Sequence, residues 1–151
     1  MKDFLPQRKN IRLKEYDYSS AGYYFITICI KQRLPVLSSI DNMNVVLTDA
    51  GMVVDKYINC ISEIYTNVEL DTYVIMPNHI HMILNIDQSN ISNLSTIIQQ
   101  FKRAVSKQLG YSIWQKLFHE HIIRNEKEYY KIYEYILNNP LSWEQDKYFE
   151  M

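Results

Sequence analysis

The chain has 151 residues, a length that indicates one domain with a single hydrophobic core. Hydrophobic residues make up 47% of it and charged residues 22%, and the net charge is −1, which excludes an intrinsically disordered protein. No apolar run reaches the roughly 18 residues of a membrane helix, and two cysteines outside any C-x-x-C pair cannot build a disulfide framework. We therefore predict a soluble, cytoplasmic single domain over residues 1–151, with an N-terminal arm (1–15), a C-terminal tail (141–151) and no membrane partner.

Charge is distributed unevenly along the chain. Residues 41–71 hold six acidic side chains against one basic side chain, Lys56, whereas basic side chains concentrate in residues 1–15 and again after residue 100. A near-neutral protein can thus present a basic face to a polyanion, although on charge alone a solvated mixed surface is the simpler interpretation. The 13 tyrosines, against 3 glycines, are by themselves explained by AT-rich coding DNA.

The first predicted strand covers residues 23–30 and is entered through Gly22. Its β-branched and aromatic residues are almost continuously apolar, which predicts burial on both faces. A helix capped by Thr48 or Asp49 follows, and its apolar residues recur at helical spacing. The apolar face of this helix is expected to consist of Val54, Tyr57, Ile58, Ile61, Ile64 and Tyr65.

A hairpin and a second helix are predicted next. The first strand of the hairpin is expected to direct its alternating residues to one face, and these are Val68, Leu70, Thr72, Val74 and Met76. Pro77-Asn78 is a turn signal, and residues 79–86 form the second strand. The helix covers residues 91–109, with Gly110 placed as its C-terminal cap.

The last two predicted elements are a strand over residues 117–123 and a helix that Asn125 and Glu128 begin in the manner of a capping box. The helix is expected to end near Leu137, because the residue before the proline of Asn139-Pro140 is biased away from helical geometry. The order β-α-β-β-α-β-α predicts an α+β fold. It is that of a ferredoxin-like split βαβ antiparallel sheet with an added C-terminal helix.

The four histidines form two pairs. His79 and His81 lie two apart on a predicted strand, so both imidazoles project from the same face. Two convergent imidazoles are half of a metal site, although two histidines on a strand are more often incidental. His119 and His121 form the second pair, so a four-histidine zinc site is conceivable, but structural zinc sites usually recruit thiolates. The simpler interpretation of the second pair is a sheet edge or a groove lining.

The last predicted helix is rich in tyrosine. Its apolar stripe, with successive residues about 100° apart, consists of Tyr129, Ile132, Tyr133 and Ile136. Tyr135 lies off this stripe and is aligned with Asn139 one turn later. Packing therefore explains Tyr135 least, although on this pattern alone an ordinary amphipathic helix with a half-exposed tyrosine is the favoured interpretation.

Two motifs resemble those of a known family. Residues 74–84, with His79-Ile80-His81 at their centre, resemble the HUH motif (histidine, hydrophobic residue, histidine) of single-tyrosine transposases. Residues 135–140 resemble that family's catalytic tyrosine followed four residues later by Asn or Gln. The resemblance is to the REP-associated tyrosine transposases in particular, those linked to repetitive extragenic palindromes, and it extends to residues 12–19, 22–29 and 121–126. One departure is His119, where an aromatic residue is expected.

The resemblance implies a mechanism. His79 and His81 would bind a divalent cation, Mg²⁺ or Mn²⁺, with Asn139 as the third ligand through its side-chain oxygen. The cation would act as a Lewis acid on the scissile phosphate. Tyr135 would attack as the nucleophile, giving a covalent 5′-phosphotyrosine and a free 3′-hydroxyl. A phenol with a pKa of about 10 needs assistance at neutral pH, and the sequence identifies no base for it.

The implied partner is single-stranded DNA next to a hairpin, held by a basic groove with stacking aromatics. The candidates for phosphate contacts, which would position the DNA without specifying its sequence, are Arg8, Lys9, Arg12, Lys102, Arg103, Lys107 and Arg124. A bacterial protein of this kind would be nucleoid-associated when bound to DNA. The sequence leaves open whether the protein is a monomer or a homodimer, and whether the tyrosine helix serves its own HUH strand or the partner's.

Two other functions fit the same residues. A non-catalytic, domesticated copy would bind hairpin DNA or RNA, although the sequence has no RNP-like strand, which counts against RNA. A metal-dependent hydrolase of small phosphoesters would use the same histidines. A covalent DNA adduct on a tyrosine separates the transposase from both of these alternatives.

Overall fold

The computed structural model describes residues 22–87 and 94–145. Its strands are β1 (Gly22–Cys29), β2 (Ser38–Asp41), β3 (Asn44–Leu47), β4 (Val68–Ile75), β5 (His79–Ile86) and β6 (His119–Ile123). Its helices are α1 (Asp49–Ile64), α2 (Leu94–Leu109) and α3 (Glu126–Asn138). Four strands form an antiparallel sheet in the order β4-β5-β1-β6, and β2 pairs with β3 in a separate hairpin. The predicted α+β ferredoxin-like fold with an added C-terminal helix is therefore confirmed.

The sheet is covered on both faces. One face carries Ile26 of β1 and Met82 of β5 and packs against α1 and α2 in the larger hydrophobic core. The other face carries Tyr23 and Ile83 and packs against α3 in a smaller core. Because side chains alternate along a strand, His79 and His81 share the face of Ile83 and so lie on the α3 side. The sequence prediction that β1 is buried on both faces is confirmed.

The predicted helix boundaries hold where local signals set them. Thr48 is the N-cap of α1, and its Oγ1 accepts a hydrogen bond from the Gly51 N–H at 3.0 Å. Gly110, with a φ of 89°, follows the last residue of α2 as predicted. Ile64 does not join the apolar face of α1, because it is the last residue of the helix and is 64% exposed. No helix within the described ranges is long and apolar enough to cross a membrane.

The expectation that alternating residues of β4 share one face is wrong. The register of β4 against β5 shifts between Leu70 and Thr72, which marks a β-bulge at Asp71. Val68 and Leu70 therefore pack in the larger core, whereas Val74 packs against the α3 core. One extra residue reverses the direction of every later side chain, and a sequence pattern with a strict period of two cannot show it.

The β2–β3 hairpin was not predicted. Asn42 and Met43 form its two-residue turn with φ values of 51° and 66°. This left-handed geometry suits a tight hairpin and is well tolerated by asparagine. Methionine rarely adopts it, so only Asn42 offered a turn signal in this segment.

The predicted end of α3 near Leu137 is confirmed to within one residue, but the reason given for it is wrong. The helix ends at Asn138, and Asn139 keeps helical angles (φ −57°, ψ −44°) although it precedes Pro140. The Ser142 N–H donates to the carbonyl oxygens of Asn138 and Asn139, both at 3.1 Å, and so continues the turn past the proline. Those hydrogen bonds, together with the burial of Asn139, offset the bias that Pro140 imposes on the preceding residue.

Candidate active site

The two histidines of the HUH motif are buried next to each other on β5. His79 is 0% exposed and His81 is 1% exposed, and their ring centroids lie 4.6 Å apart. Imidazoles are costly to bury unless their polar atoms are used. The interpretation as an incidental surface pair therefore does not fit this location.

Each imidazole is held through one ring nitrogen. Nδ1 of His79 lies 2.8 Å from Oδ1 of Asn78, and Nδ1 of His81 lies 2.8 Å from Oγ1 of Thr27. With Nδ1 engaged, Nε2 is the nitrogen that each ring can present to a cation. This orientation is typical of metal-binding histidines.

The third candidate metal ligand is the side-chain amide of Asn139. Asn139 is 2% exposed and follows α3, one turn after Tyr135. Its Oδ1 and the Nε2 atoms of His79 and His81 are all buried polar atoms. The described part of the chain contains no group of three or more His, Cys, Asp and Glu side chains that could hold a metal. A divalent cation here would have two imidazole ligands and one amide ligand and would keep positions open for water or phosphate.

Tyr135 reaches the histidines within the same chain. Its ring centroid lies 5.2 Å from that of His81 and 6.3 Å from that of Phe25, and its side chain is 40% exposed. The tyrosine that packing explained least is therefore the one that the fold sets beside the buried imidazoles. Its partial exposure leaves the phenol accessible to a large substrate.

Two aromatic residues beside the histidines were not found from sequence. The Phe25 ring lies 5.3 Å from His81, and the half-buried Trp143 ring lies 6.3 Å from His79 and is tilted by 31°. A cavity of about 280 Å³ opens beside Trp143 and is lined by the β2–β3 hairpin and residues 140–145. Trp143 falls in the predicted C-terminal tail, where only its aromatic character could have singled it out.

The second histidine pair lies at the edge of the sheet, in agreement with the simpler interpretation. Thr27 of β1 pairs with His81 on one side and with His119 on the other, so β1 separates the two pairs. Across the described part of the chain the four histidines form no metal-binding cluster. The four-histidine zinc site is therefore not formed. His121 instead contacts Glu128 of α3, with Nε2 and Oε2 2.7 Å apart.

Two polar contacts fasten α3 to the sheet. The Tyr129 hydroxyl donates to Oδ2 of Asp71, the bulge residue of β4, at 2.5 Å. Burial raises the pKa of Tyr129, and the Asp71 carboxylate raises it further, so the phenol stays protonated. At the start of α3, Glu128 accepts from the Arg124 N–H at 2.7 Å as well as contacting His121. These contacts fix the helix that carries Tyr135.

The contact at Glu128 predicts a pH dependence of stability. Burial alone would raise the pKa of Glu128, but the hydrogen bonds from Arg124 and His121 outweigh it and lower the pKa. Because the Glu128 pKa is lower in the folded state, its ionised carboxylate stabilises the fold at pH values above the unfolded-state pKa of about 4.3. This stabilisation is lost as the pH falls through the folded-state pKa. Below pH 4 the wild type should lose more unfolding free energy than Glu128→Gln, by about 1 kcal/mol or less, because the glutamine has no carboxylate to protonate. Urea titrations of both proteins at pH 7 and pH 3.5 measure it; an identical loss in both contradicts the prediction.

The candidate DNA-binding residues fall in several places. Lys102, Arg103 and Lys107 lie on α2, in the layer opposite to α3. Lys102 donates from Nζ to the carbonyl oxygens of Gln115 (2.8 Å) and Lys116 (3.2 Å), and burial lowers its pKa, so it fastens the loop before β6. The exposed candidates are Arg103 and Lys107 on α2 and Arg124 at the start of α3. Arg8, Lys9 and Arg12 lie outside the described residues.

Several known proteins have sequences similar to that of this chain. It is 36% identical to an uncharacterized protein of Haemophilus influenzae over 93% of this chain and 92% of that one. It is 27% identical to another protein of that organism, named "Putative REP-associated tyrosine transposase", over 83% and 73% of the two chains. It is 32% identical to a REP-associated tyrosine transposase of Escherichia coli over 48% and 44%. No protein-family model matches the chain.

The fold agrees with these similarities. A solved structure of a REP-associated tyrosine transposase bound to a REP hairpin superimposes with a TM-score of 0.70 and 24% sequence identity, over 88% of this chain and 74% of that one. The chain is therefore similar in sequence and in fold to REP-associated tyrosine transposases. This similarity supports a transposase-type function in DNA processing. The roles of individual residues rest on the geometry described above.

Proposed function

We propose that this REP-associated tyrosine transposase relative is a metal-dependent strand transferase. It would cleave single-stranded DNA next to a hairpin through a covalent 5′-phosphotyrosine on Tyr135, in transposition or in the processing of palindromic repeats. The observation that carries the proposal is the 5.2 Å separation of the Tyr135 and His81 rings within one chain. An aromatic nucleophile and a pair of oriented, buried imidazoles are thereby brought to one point of the sheet.

The residues have separate roles in the proposed reaction. His79, His81 and Asn139 would hold the divalent cation, which when bound supplies Lewis-acid stabilisation of charge on the phosphate. Oη of Tyr135 would attack phosphorus while the bond to the 3′-oxygen breaks. The phenol loses its proton as the bond between Oη and phosphorus forms, and the leaving 3′-oxygen takes up a proton to become a 3′-hydroxyl. The phosphodiester energy stays in the tyrosine ester, so a 3′-hydroxyl can reverse the step.

The DNA contacts would come from exposed cations and aromatics. Arg103, Lys107 and Arg124 are exposed on the described surface and could contact phosphates. Arg8, Lys9 and Arg12 remain candidates from the sequence. The structure of a relative bound to a REP hairpin supports hairpin DNA as the substrate class for this chain. Phe25 and Trp143 offer aromatic faces next to the histidines.

The direct test is covalent capture of DNA. The protein is incubated with a labelled single-stranded oligonucleotide carrying a hairpin, with Mn²⁺ or with EDTA, and resolved on a denaturing gel. We expect an adduct that depends on the metal and runs at the mass of protein plus one DNA fragment. Hairpin binding without any adduct across a broad set of oligonucleotides would instead identify a non-catalytic binder, and turnover of small phosphoesters would identify a hydrolase.

Trp143 is expected to contribute to DNA binding by stacking. Its half-buried ring lies beside His79 and lines a cavity, where it can stack on an unpaired base. Base–aromatic stacking contributes about 1–3 kcal/mol per base. Trp143→Ala should weaken binding of a single-stranded hairpin oligonucleotide by about 5- to 150-fold, measured by fluorescence anisotropy in EDTA. Tyr111→Ala removes another exposed aromatic in the described region and should leave the affinity unchanged; equal losses in both variants would contradict a local stacking role.

A further inference from the structure

Two buried polar residues next to the HUH histidines determine how the imidazoles face the proposed metal. We propose that Asn78 and Thr27 are positioning residues: Asn78 holds His79 with the proton on Nδ1 and the lone pair on Nε2, and Thr27 orients the His81 ring so that its Nε2 is directed at the same divalent cation. This inference rests on the proposed function, because it concerns the metal ligands of the same site. Neither residue touches the substrate in this role.

Asn78 fixes the protonation of His79. Its Oδ1 lies 2.8 Å from Nδ1 of His79, and a carbonyl oxygen can only accept a hydrogen bond, so Nδ1 must carry the proton. The orientation of the amide is set by its other end, because Nδ2 points at the Arg33 carbonyl oxygen at 3.4 Å. A flipped amide would place two oxygen atoms against each other there. Nε2 of His79 is thereby left with its lone pair, the form that binds metals.

The turn that carries Asn78 is held by hydrogen bonds from the segment that follows β1. The Ile30 N–H donates to the Asn78 carbonyl oxygen at 3.0 Å, and the Leu37 N–H donates to the Pro77 carbonyl oxygen at 3.0 Å. Gln32 and Arg33 both adopt a φ of 55°, a left-handed geometry that turns the chain after β1. The Asn78 side chain, 1% exposed, is thus fixed from both the backbone and the amide group.

Thr27 plays the corresponding role for His81. It lies directly opposite His81 in the β1–β5 pairing, is 4% exposed, and sets Oγ1 2.8 Å from Nδ1 of His81. A hydroxyl can donate or accept, so Thr27 fixes the direction of the ring and accepts from Nδ1 when Nε2 binds a cation. The β-branched side chain has few rotamers, which keeps the hydroxyl in place.

The tautomer of His79 can be measured without metal and without DNA. Long-range ¹H–¹⁵N spectra of the full chain distinguish a proton-bearing ring nitrogen from one with a lone pair. We expect the proton on Nδ1 of His79 in the wild type and a mixture of tautomers in Asn78→Ala. Asn85→Ala, on the same strand and the same face, is the matched control and should change nothing. An Nδ1 proton that persists in Asn78→Ala would overturn the proposal.

Metal affinity provides the second readout. Calorimetric titration with Mn²⁺ alone should show binding about 10- to 100-fold weaker in Asn78→Ala and Thr27→Val, as expected for loss of a hydrogen bond that supports a ligand. Asn85→Ala and Thr72→Val should bind like the wild type. Unchanged Mn²⁺ affinity in folded Asn78→Ala contradicts the inference and leaves the proposed function in place. Conversely, histidine-dependent Mn²⁺ binding without any DNA adduct contradicts the proposed function and leaves this inference in place.

Discussion

Tyr135→Phe is expected to abolish the covalent DNA adduct, with a loss of at least about 10³-fold in the rate of adduct formation. The substitution removes one oxygen atom and preserves the ring that lies 5.2 Å from His81 and 6.3 Å from Phe25. Packing and DNA stacking are therefore retained while the nucleophile is lost. Denaturing gels with a labelled hairpin oligonucleotide and Mn²⁺ measure the adduct, and anisotropy with the same oligonucleotide measures binding.

Tyr133→Phe is the matched control on the same helix. Tyr133 is partly buried, packs against the smaller core under α3, and has its ring centroid 5.8 Å from that of Tyr129. Its variant should form the adduct at a rate within a few-fold of the wild type. An adduct that survives Tyr135→Phe would mean that another residue is the nucleophile, and mapping of the linked peptide would identify it.

His79→Ala and His81→Ala are each expected to eliminate adduct formation and to weaken Mn²⁺ binding by more than about 100-fold. The expectation follows because loss of a hydrogen bond that merely supports a metal ligand already costs about 10- to 100-fold. Binding of hairpin DNA in EDTA should persist, since phosphate contacts and stacking do not require the cation. Calorimetry, anisotropy and denaturing gels on the same preparations separate the three properties.

His119→Ala is the control for both variants. His119 lies across β1 from His81 in the same register, but it is exposed at the edge of the sheet. Its removal should leave Mn²⁺ affinity and adduct formation unchanged. If His119→Ala were as damaging as His81→Ala, the cation would have to be held differently from the arrangement proposed here.

Much of the fold followed from local signals in the sequence. The N-caps at Thr48 and Asn125 and the C-terminal Gly110 were predicted, because capping depends on hydrogen bonds within a few residues. The shared face of His79 and His81 was predicted for the same reason, since alternation along a strand is a local property. The β2–β3 hairpin was missed because Met43 occupies a turn geometry that methionine rarely adopts.

Other features depend on neighbours that are far away in sequence. The bulge at Asp71 reverses the faces of β4, and its carboxylate then receives the Tyr129 hydroxyl. Nothing in residues 68–75 indicates the bulge, because it is stabilised by contacts across the sheet and with α3. Similarly, Lys102 resembles a phosphate-binding residue in the sequence but fastens the loop before β6.

The sequence by itself determined which residues could form the site: two histidines two apart on a strand, a tyrosine off the apolar stripe of its helix, and an asparagine one turn later. Those relations are set by the periods of strands and helices. Only the tertiary structure decided that Tyr135 meets His81 within one chain, that both imidazoles are buried, and that Phe25 and Trp143 lie beside them. Such contacts arise when the apolar stripe of α3 packs on the sheet, and the direction in which it packs is set by the whole core.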